Sequence, residues 1–488
     1  MKNYIFSFYF LIIFISNKLY VESFIILPFT SYEYEYKYIQ ENKNHNQNKE
    51  LNMTDFFKNY FSTPIFTKVE IGTPKKTIPI SISTNTHGLV IGSLCDKNLF
   101  IEESSYNINN SSSLYKESNT RIIFAQYEGG YFVKDSFTFY NQLETKKDNK
   151  MTINNISFIY MPEDSRDNYK NNKICGIMGL SLKYVNYFEE QKNIIYNLKN
   201  LNKIDNYVYA IYYKKNDEGF ILIGEEPHNV MPDLFNEEKY RKTNALSDGY
   251  DSMEWKTEFT QIFFYDNGIK KKLTEDKRAK FDIEINYIIG TNNYKKNIEK
   301  YFFGKYIEKN ICYYEKIENQ RYSAFICNDD SSFDKNTFPN IYFYNRIFNY
   351  TFEITKDELF IKKNNKYIFL VFFSDYDIKY FVLGKIFYKK YLFTFNQDSK
   401  TIGFYNTEIL YDANSENNNN LYLKIIGIVL IITCSILGFL LAKKIYEHTR
   451  KRRVNELNEQ YEYDPYIKND INYEDNKNNI FLEMPSKS

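Results

Sequence analysis

The strongest constraint on this chain is a series of short, mostly glycine-containing apolar segments in fixed order along most of its length. Val69-Glu70-Ile71-Gly72-Thr73-Pro74 leads into the alternating run Thr77-Ile78-Pro79-Ile80-Ser81-Ile82. Ser83-Thr84-Asn85-Thr86 and the apolar Leu89-Val90-Ile91 follow. Cys175-Gly176-Ile177-Met178-Gly179-Leu180 and Phe220-Ile221-Leu222-Ile223-Gly224 come next, then Trp255-Lys256 and Ala279-Lys280-Phe281-Asp282-Ile283-Glu284-Ile285 with Ile288-Ile289-Gly290. The series closes with Phe381-Val382-Leu383-Gly384, Phe387, Tyr391, Phe393-Thr394-Phe395-Asn396 and Ile402-Gly403-Phe404. Alternating runs such as Thr77 to Ile82 and Tyr131 to Phe139, broken by Asn/Lys/Asp clusters, read as strands joined by polar loops.

A chain of 488 residues suits two lobes with appendages better than one core. Its 48 Tyr and 42 Phe against a single Trp supply bulky apolar side chains for β-rich layers. The net charge of +1 implies neither nucleic acid nor an acidic surface as partner. The abundance of Asn, Lys, Tyr and Ile is that of an AT-rich genome, as in apicomplexan parasites, and carries no mechanism.

Taken together and in order, these segments resemble those of pepsin-like aspartic proteases, specifically the membrane-anchored, plasmepsin-like members. That family reads Ile-Gly-Thr-Pro, a strand, Asp-Thr-Gly-Ser and a Leu-Trp-Val-like strand. It then has Asp-Gly-Ile-Leu-Gly-Leu, a second Asp-Thr-Gly-Thr, and a final Trp-Ile-Leu-Gly-Asp-x-Phe. The resemblance implies a mostly β, bilobal pepsin-like fold followed by a single transmembrane helix. It places Ser83 where the first catalytic aspartate belongs and Asp282 at the second. Asn85 and Glu284 replace the two loop glycines. Thr84 keeps one of the two hydroxyls that tie the loops together, and Ile283 loses the other.

Aspartic proteolysis uses two carboxylates about 3 Å apart that share one proton. A serine hydroxyl cannot share that proton, so the dyad is broken on the first loop. The flap resemblance falls on Phe124 to Gly130, where Phe124 lacks the tyrosine hydroxyl and Tyr127 substitutes only if the register slips. Loss at both loops and the flap implies a pseudoprotease that binds a protein or peptide partner; the alternative is an active endopeptidase with an atypical site.

Other readings of the same residues are open at this point. Glu284 could supply a second carboxylate, but two residues along a strand-like loop it stands beside Asp282 on one lobe. Asp266-Asn267-Gly268 reads as a hairpin turn and not a displaced active loop. His87 reads as a surface-loop histidine, with no orienting acid that would make Ser83 a nucleophile. His45, His228 and His448 are scattered, so no metal and no other cofactor is expected.

Two apolar segments set the expected topology. Residues 1–22 have a basic start and a short apolar stretch, as a secretory signal does, against the alternative of a buried N-terminal strand. Residues 425–442 form an apolar run near the roughly 20 residues that span a bilayer. Lys443, Lys444 and Arg450 to Arg453 follow it, which predicts a cytoplasmic tail. The chain is therefore expected to be a single-pass type I protein of the secretory pathway or cell surface, its body lumenal or extracellular. Residues 23–58 read as a polar lead-in (a linker rather than a cleft-plugging prosegment), 59–231 and 232–411 as the lobes, 412–424 as a stalk and 443–488 as the tail. Five cysteines fit an oxidising compartment. The resemblance implies a Cys312–Cys327 disulfide and a Cys95–Cys175 bridge, and Cys434 falls in the expected span.

Overall fold

Asp266-Asn267-Gly268 does form a turn. The strand Lys256–Asp266 pairs antiparallel with Ile269–Phe281, Asp266 opposite Ile269. Asn267 and Gly268, at φ 48° and 79°, are the two turn residues, and two positive φ values suit the twist of the flanking strands. The computed structural model describes residues 24–31, 64–93, 106–117, 129–140, 150–162, 175–182, 193–214, 218–246, 254–317, 322–329, 332–363, 365–374, 376, 378–406, 443–446, 448–453 and 455. The expected signal segment, flap residues Phe124 and Tyr127, Cys95, Cys434 and the apolar run 425–442 lie outside them. Among the described residues no helix is long and apolar enough to cross a membrane.

The described residues from 24 to 406 form one compact unit built on two large antiparallel-rich sheets. The expected strands at Thr77–Ile82 and Tyr131–Phe139 are present as Lys76–Ser83 and Tyr131–Tyr140. Each lobe repeats one local arrangement around its central loop. In the first, Lys76–Ser83 runs parallel to Gly176–Gly179, which in turn pairs antiparallel with Leu89–Gly92. In the second, Ile269–Phe281 runs parallel to Tyr380–Leu383, which pairs antiparallel with Ile288–Gly290. A strand is thus threaded between the two arms of each loop.

That threading requires glycine. A Cβ on Gly179 would stand 2.4 Å from the Thr86 carbonyl oxygen, and one on Gly384 would stand 2.2 Å from that of Tyr287. Both contacts are to backbone that cannot swing away.

The lobes are stitched by shared strands. Phe393–Asn396 of the second half pairs with Val208–Tyr213 of the first, and Thr401–Tyr405 and Tyr240–Asn244 continue that sheet. The boundary near residue 231 therefore divides the sequence but not the sheets. The lead-in expectation needs one correction: Ile25–Ser31 is a strand, in register from Ile25 opposite Ile223 to Thr30 opposite Glu218. Its apolar start is buried on both faces, Leu27 and Phe29 in the main core and Ile26 against Ala210, Leu222 and Leu392. The polar residues that follow hide this run in the average composition. Pro28 is tolerated because the second neighbouring strand, Ile65–Ile71, pairs only with Thr30 and Ser31.

Phenylalanine rings pack closely in the second lobe, where the Phe352 ring lies 4.9 Å from Phe404 and 5.8 Å from Phe393. Cys312 and Cys327 face each other in adjacent strands and form a disulfide. Cys175 is also disulfide-bonded, and its expected partner Cys95 is outside the described residues. In the C-terminal unit, 410–488, residues 443–446 and 448–453 are helical and exposed.

Gly179→Ala and Gly384→Ala are each expected to cost about 1–3 kcal/mol through overpacking against fixed backbone. Thermal unfolding of the two variants checks this, against an alanine at Gly88, where nothing lies within 4 Å of an added Cβ and only its positive φ of 87° opposes the change.

Candidate functional site

The two central loops meet through one hydroxyl. Thr84 Oγ1 donates to the Phe281 carbonyl at 3.2 Å and accepts the Ile283 amide at 3.2 Å, so each loop closes on the other. The loss of a hydroxyl at Ile283 therefore leaves the cross-loop tie in place, carried by Thr84 and two backbone groups. Behind it the Leu180 carbonyl receives Trp255 Nε1 at 2.8 Å, the Tyr209 hydroxyl at 2.8 Å and Gln397 Nε2 at 3.2 Å. Phe395 fills the space between, 5.1 Å from Trp255 and 5.5 Å from Phe281. These contacts hold Phe281, and with it Asp282, against the first lobe.

Ser83 ends its strand buried, with its oxygen held by its own loop. It accepts the amides of Asn85 at 3.2 Å and Thr86 at 3.0 Å. Its one hydroxyl hydrogen goes to Thr86 Oγ1, 3.0 Å away. Asp282 is buried in the second loop; its amide donates to the Leu383 carbonyl at 3.0 Å, and its Oδ1 accepts the Glu284 amide at 2.9 Å. The second loop has thus kept its hydrogen-bonded form. Neither Asn85 nor Glu284 adopts a positive φ, so replacing glycine at these points costs no backbone strain.

Glu284 departs from expectation. It does not merely stand beside Asp282 on one lobe: its carboxyl lies near enough to the side chains of Ser83 and Asn85 on the first loop to interact with them. The reason is complementary size. A serine in place of the first aspartate leaves room that a glutamate in place of the second glycine can enter. Burial first, and then the negative charge of Asp282, push the Glu284 carboxyl up to about 7, against the opposing pull of Ser83, Lys280 and Asn85. Two carboxylates that close must share a proton or repel.

Cationic and phenolic groups frame the pair. Burial alone would depress Lys280, but the charge of Asp282 and a 2.8 Å ion pair to Glu254 outweigh it, so its ammonium is held above the ordinary value. Lys256, almost fully buried, pairs with the same Glu254 at 2.6 Å. Burial and then the Asp282 charge hold the Tyr388 phenol well above its usual value. Lys385, where the resembled family carries aspartate, is buried directly under the second loop, its amide donating to the Ile285 carbonyl at 2.8 Å. His87 is buried and not a surface residue, because the loop after Asn85 folds back over Gly179. Among the described residues no group of acidic, His and Cys side chains is placed to hold a metal.

A family model for eukaryotic aspartyl protease matches residues 65–407. The chain belongs to that family, and its body is a pepsin-like aspartyl protease domain. A search of curated proteins finds no match.

The Glu284 carboxyl gives a stability test. Its proton is held more tightly in the folded state than in the unfolded chain, whose ordinary value is 4.5. Its contribution is therefore neutral below about 4.5 and turns destabilising as pH rises toward 7. Glu284→Gln is expected to stabilise the protein near pH 7.5, on the order of 1–3 kcal/mol, with the gap closing as pH falls to about 4.5. Guanidinium titrations across that range measure it; a gap that is constant with pH would refute the assignment.

Proposed function

We propose that this chain is a type I membrane protein of the secretory pathway or cell surface whose pepsin-like body binds an extended protein or peptide segment without cutting it. One observation carries the reading: both carboxylates at the loop junction, Asp282 and Glu284, come from the second loop, while the first contributes the hydroxyl of Ser83. In the two-carboxylate mechanism a water is held between acids from opposite sides, one activating it and the other protonating the substrate carbonyl. With Ser83 on the first loop and both acids on the second, no acid among the described residues faces Asp282 from the opposite side. The groove for an extended ligand that a pepsin-like fold implies is independent of the dyad.

A second reading is favoured by the Asp282–Glu284 pair itself. Two acids holding one proton are the chemical requirement of an aspartic-type endopeptidase, and here they occur in an atypical arrangement. The full chain incubated with a diverse peptide library from pH 3 to 8 is expected to leave it uncut by mass spectrometry. Ser83→Asp is expected not to restore cleavage, since Glu284 and Asn85 remain. Cleavage that a statine-type transition-state mimic inhibits and Asp282→Ala abolishes would establish the second reading instead.

The topology is tested separately. Protease added to sealed microsomes carrying the chain is expected to remove only the tail beyond about Lys443, the run 425–442 being near the roughly 20 residues that cross a bilayer. A protected tail with a digested body would invert the orientation.

A further inference from the structure

Away from the loop junction, one turn of the second lobe brings together an exposed asparagine, a hydroxyl two residues on and an uncovered apolar side chain. The strands Ile341–Asn345 and Tyr350–Ile354 pair antiparallel, with Asn345 opposite Tyr350. Asn345 builds the turn between them, its Oδ1 accepting the amides of Ile347 and Phe348, each at 3.0 Å. Phe348 is buried beneath, and the Asn349 amide closes the turn on the Arg346 carbonyl at 3.2 Å. Asn349 stands at φ 49°, a left-handed conformation that asparagine accepts more readily than most residues. Its side chain is exposed and takes no part in holding the turn.

Asn349-Tyr350-Thr351 is an Asn-x-Thr triplet, the acceptor pattern for an N-linked glycan in a chain that enters the secretory route. The pattern recurs with serine at Asn109-Asn110-Ser111, Asn110-Ser111-Ser112 and Asn155-Ile156-Ser157, and with threonine at Asn52-Met53-Thr54, outside the described residues. What the hydroxyl does sets Asn349 apart from the other described triplets. Ser111 Oγ accepts the Thr73 amide at 3.0 Å, Ser112 Oγ donates to the Thr73 carbonyl at 3.2 Å, and Ser157 Oγ donates to Glu117 Oε1 at 3.4 Å. Folding commits those three. The half-buried Thr351 hydroxyl has no hydrogen-bond partner among the described residues, so this triplet stays available before and after folding. Its surroundings also want cover. Ile347 exposes 56% of its surface in the same turn. Tyr350–Ile354 is the last strand of its sheet, with one strand neighbour among the described residues. An apolar side chain beside an open sheet edge invites a second chain, which a bulky hydrophilic group at that place obstructs.

Resting on the lumenal placement of the body proposed above, we propose that Asn349 carries an N-linked glycan standing beside this edge. The donor is an oligosaccharide carried on a polyprenyl diphosphate. The Asn349 amide nitrogen bonds to the anomeric carbon as the bond from that carbon to the diphosphate oxygen breaks. The diphosphate leaves with the electron pair, the nitrogen gives up one proton, and nothing is oxidised or reduced.

The test is synthesis of the full chain with endoplasmic reticulum microsomes, read as mobility on a denaturing gel before and after peptide N-glycosidase. Asn349→Gln and Thr351→Ala are each expected to lack one mobility step that the wild type shows and the glycosidase removes. Thr351→Ser is expected to keep it. The glycosidase leaves a carboxyl on the side chain that carried the glycan, and mass spectrometry is expected to locate it at position 349. Thr351→Ala retains the asparagine and so reads the site if Asn349→Gln does not fold. External protease on the same vesicles separates this proposal from the one it rests on. A protected body whose wild-type, Asn349→Gln and Thr351→Ala forms migrate alike would overturn glycosylation at Asn349 and leave the lumenal placement standing. A body open to the protease would overturn both.

Discussion

The Thr84 hydroxyl is the contact on which the centre of this molecule depends. It gives one hydrogen bond and takes one, both to backbone of the opposite loop, at 3.2 Å. A buried hydroxyl with both capacities used is worth more as a constraint than as net energy, since removing it would strand an amide and a carbonyl in the interior. In the resembled family two hydroxyls do this reciprocally. Here one suffices because Phe281 and Ile283 present their backbone groups at the same height as Thr84, and the Leu180 carbonyl, with its three donors, fixes that height from behind.

What the sequence disclosed was the part that depends on spacing along the chain. The segments ending at Gly179 and Gly384 were recognisable because a threaded strand admits no Cβ there. Strands such as Lys76–Ser83 alternate in a way that one sequence can carry. The hairpin at Asn267-Gly268 was legible because positive φ at two successive positions restricts the residue types. Ile25–Ser31 was missed because its partners Glu218–Ile223 lie nearly two hundred residues on, as the register of Ile25 with Ile223 makes plain. Its own seven residues are too few to outweigh the polar stretch after them. The burial of His87 and Lys385 was equally hidden, since it follows from chain crossings and not from local pattern.

The reach of Glu284 was illegible for a different reason. Sequence spacing places Asp282 and Glu284 on one loop, and that is correct; it says nothing about where a three-torsion side chain ends. The decisive information was distributed over two distant substitutions, serine for an acid at 83 and an acid for glycine at 284, each read alone as loss. Together they exchange a carboxylate on the first loop for one that arrives from the second. The loop backbone tolerates this because neither Asn85 nor Glu284 requires a left-handed conformation.

That exchange changes the symmetry of the site more than its charge. A dyad drawn from two lobes places two acids on opposite sides of a water, with a separation set by the rigid backbone of both loops. A pair drawn from one loop ties the acids to each other through the Glu284 amide on Asp282 Oδ1, and leaves one of them flexible. Catalysis demands positional fixity of a reacting water within a fraction of an ångström, whereas binding a peptide backbone demands only a donor and an acceptor within reach. Burial first, and then the charge of the adjacent Asp282, raise the Glu284 carboxyl toward neutral pH, the second contribution following from drawing both acids from one loop.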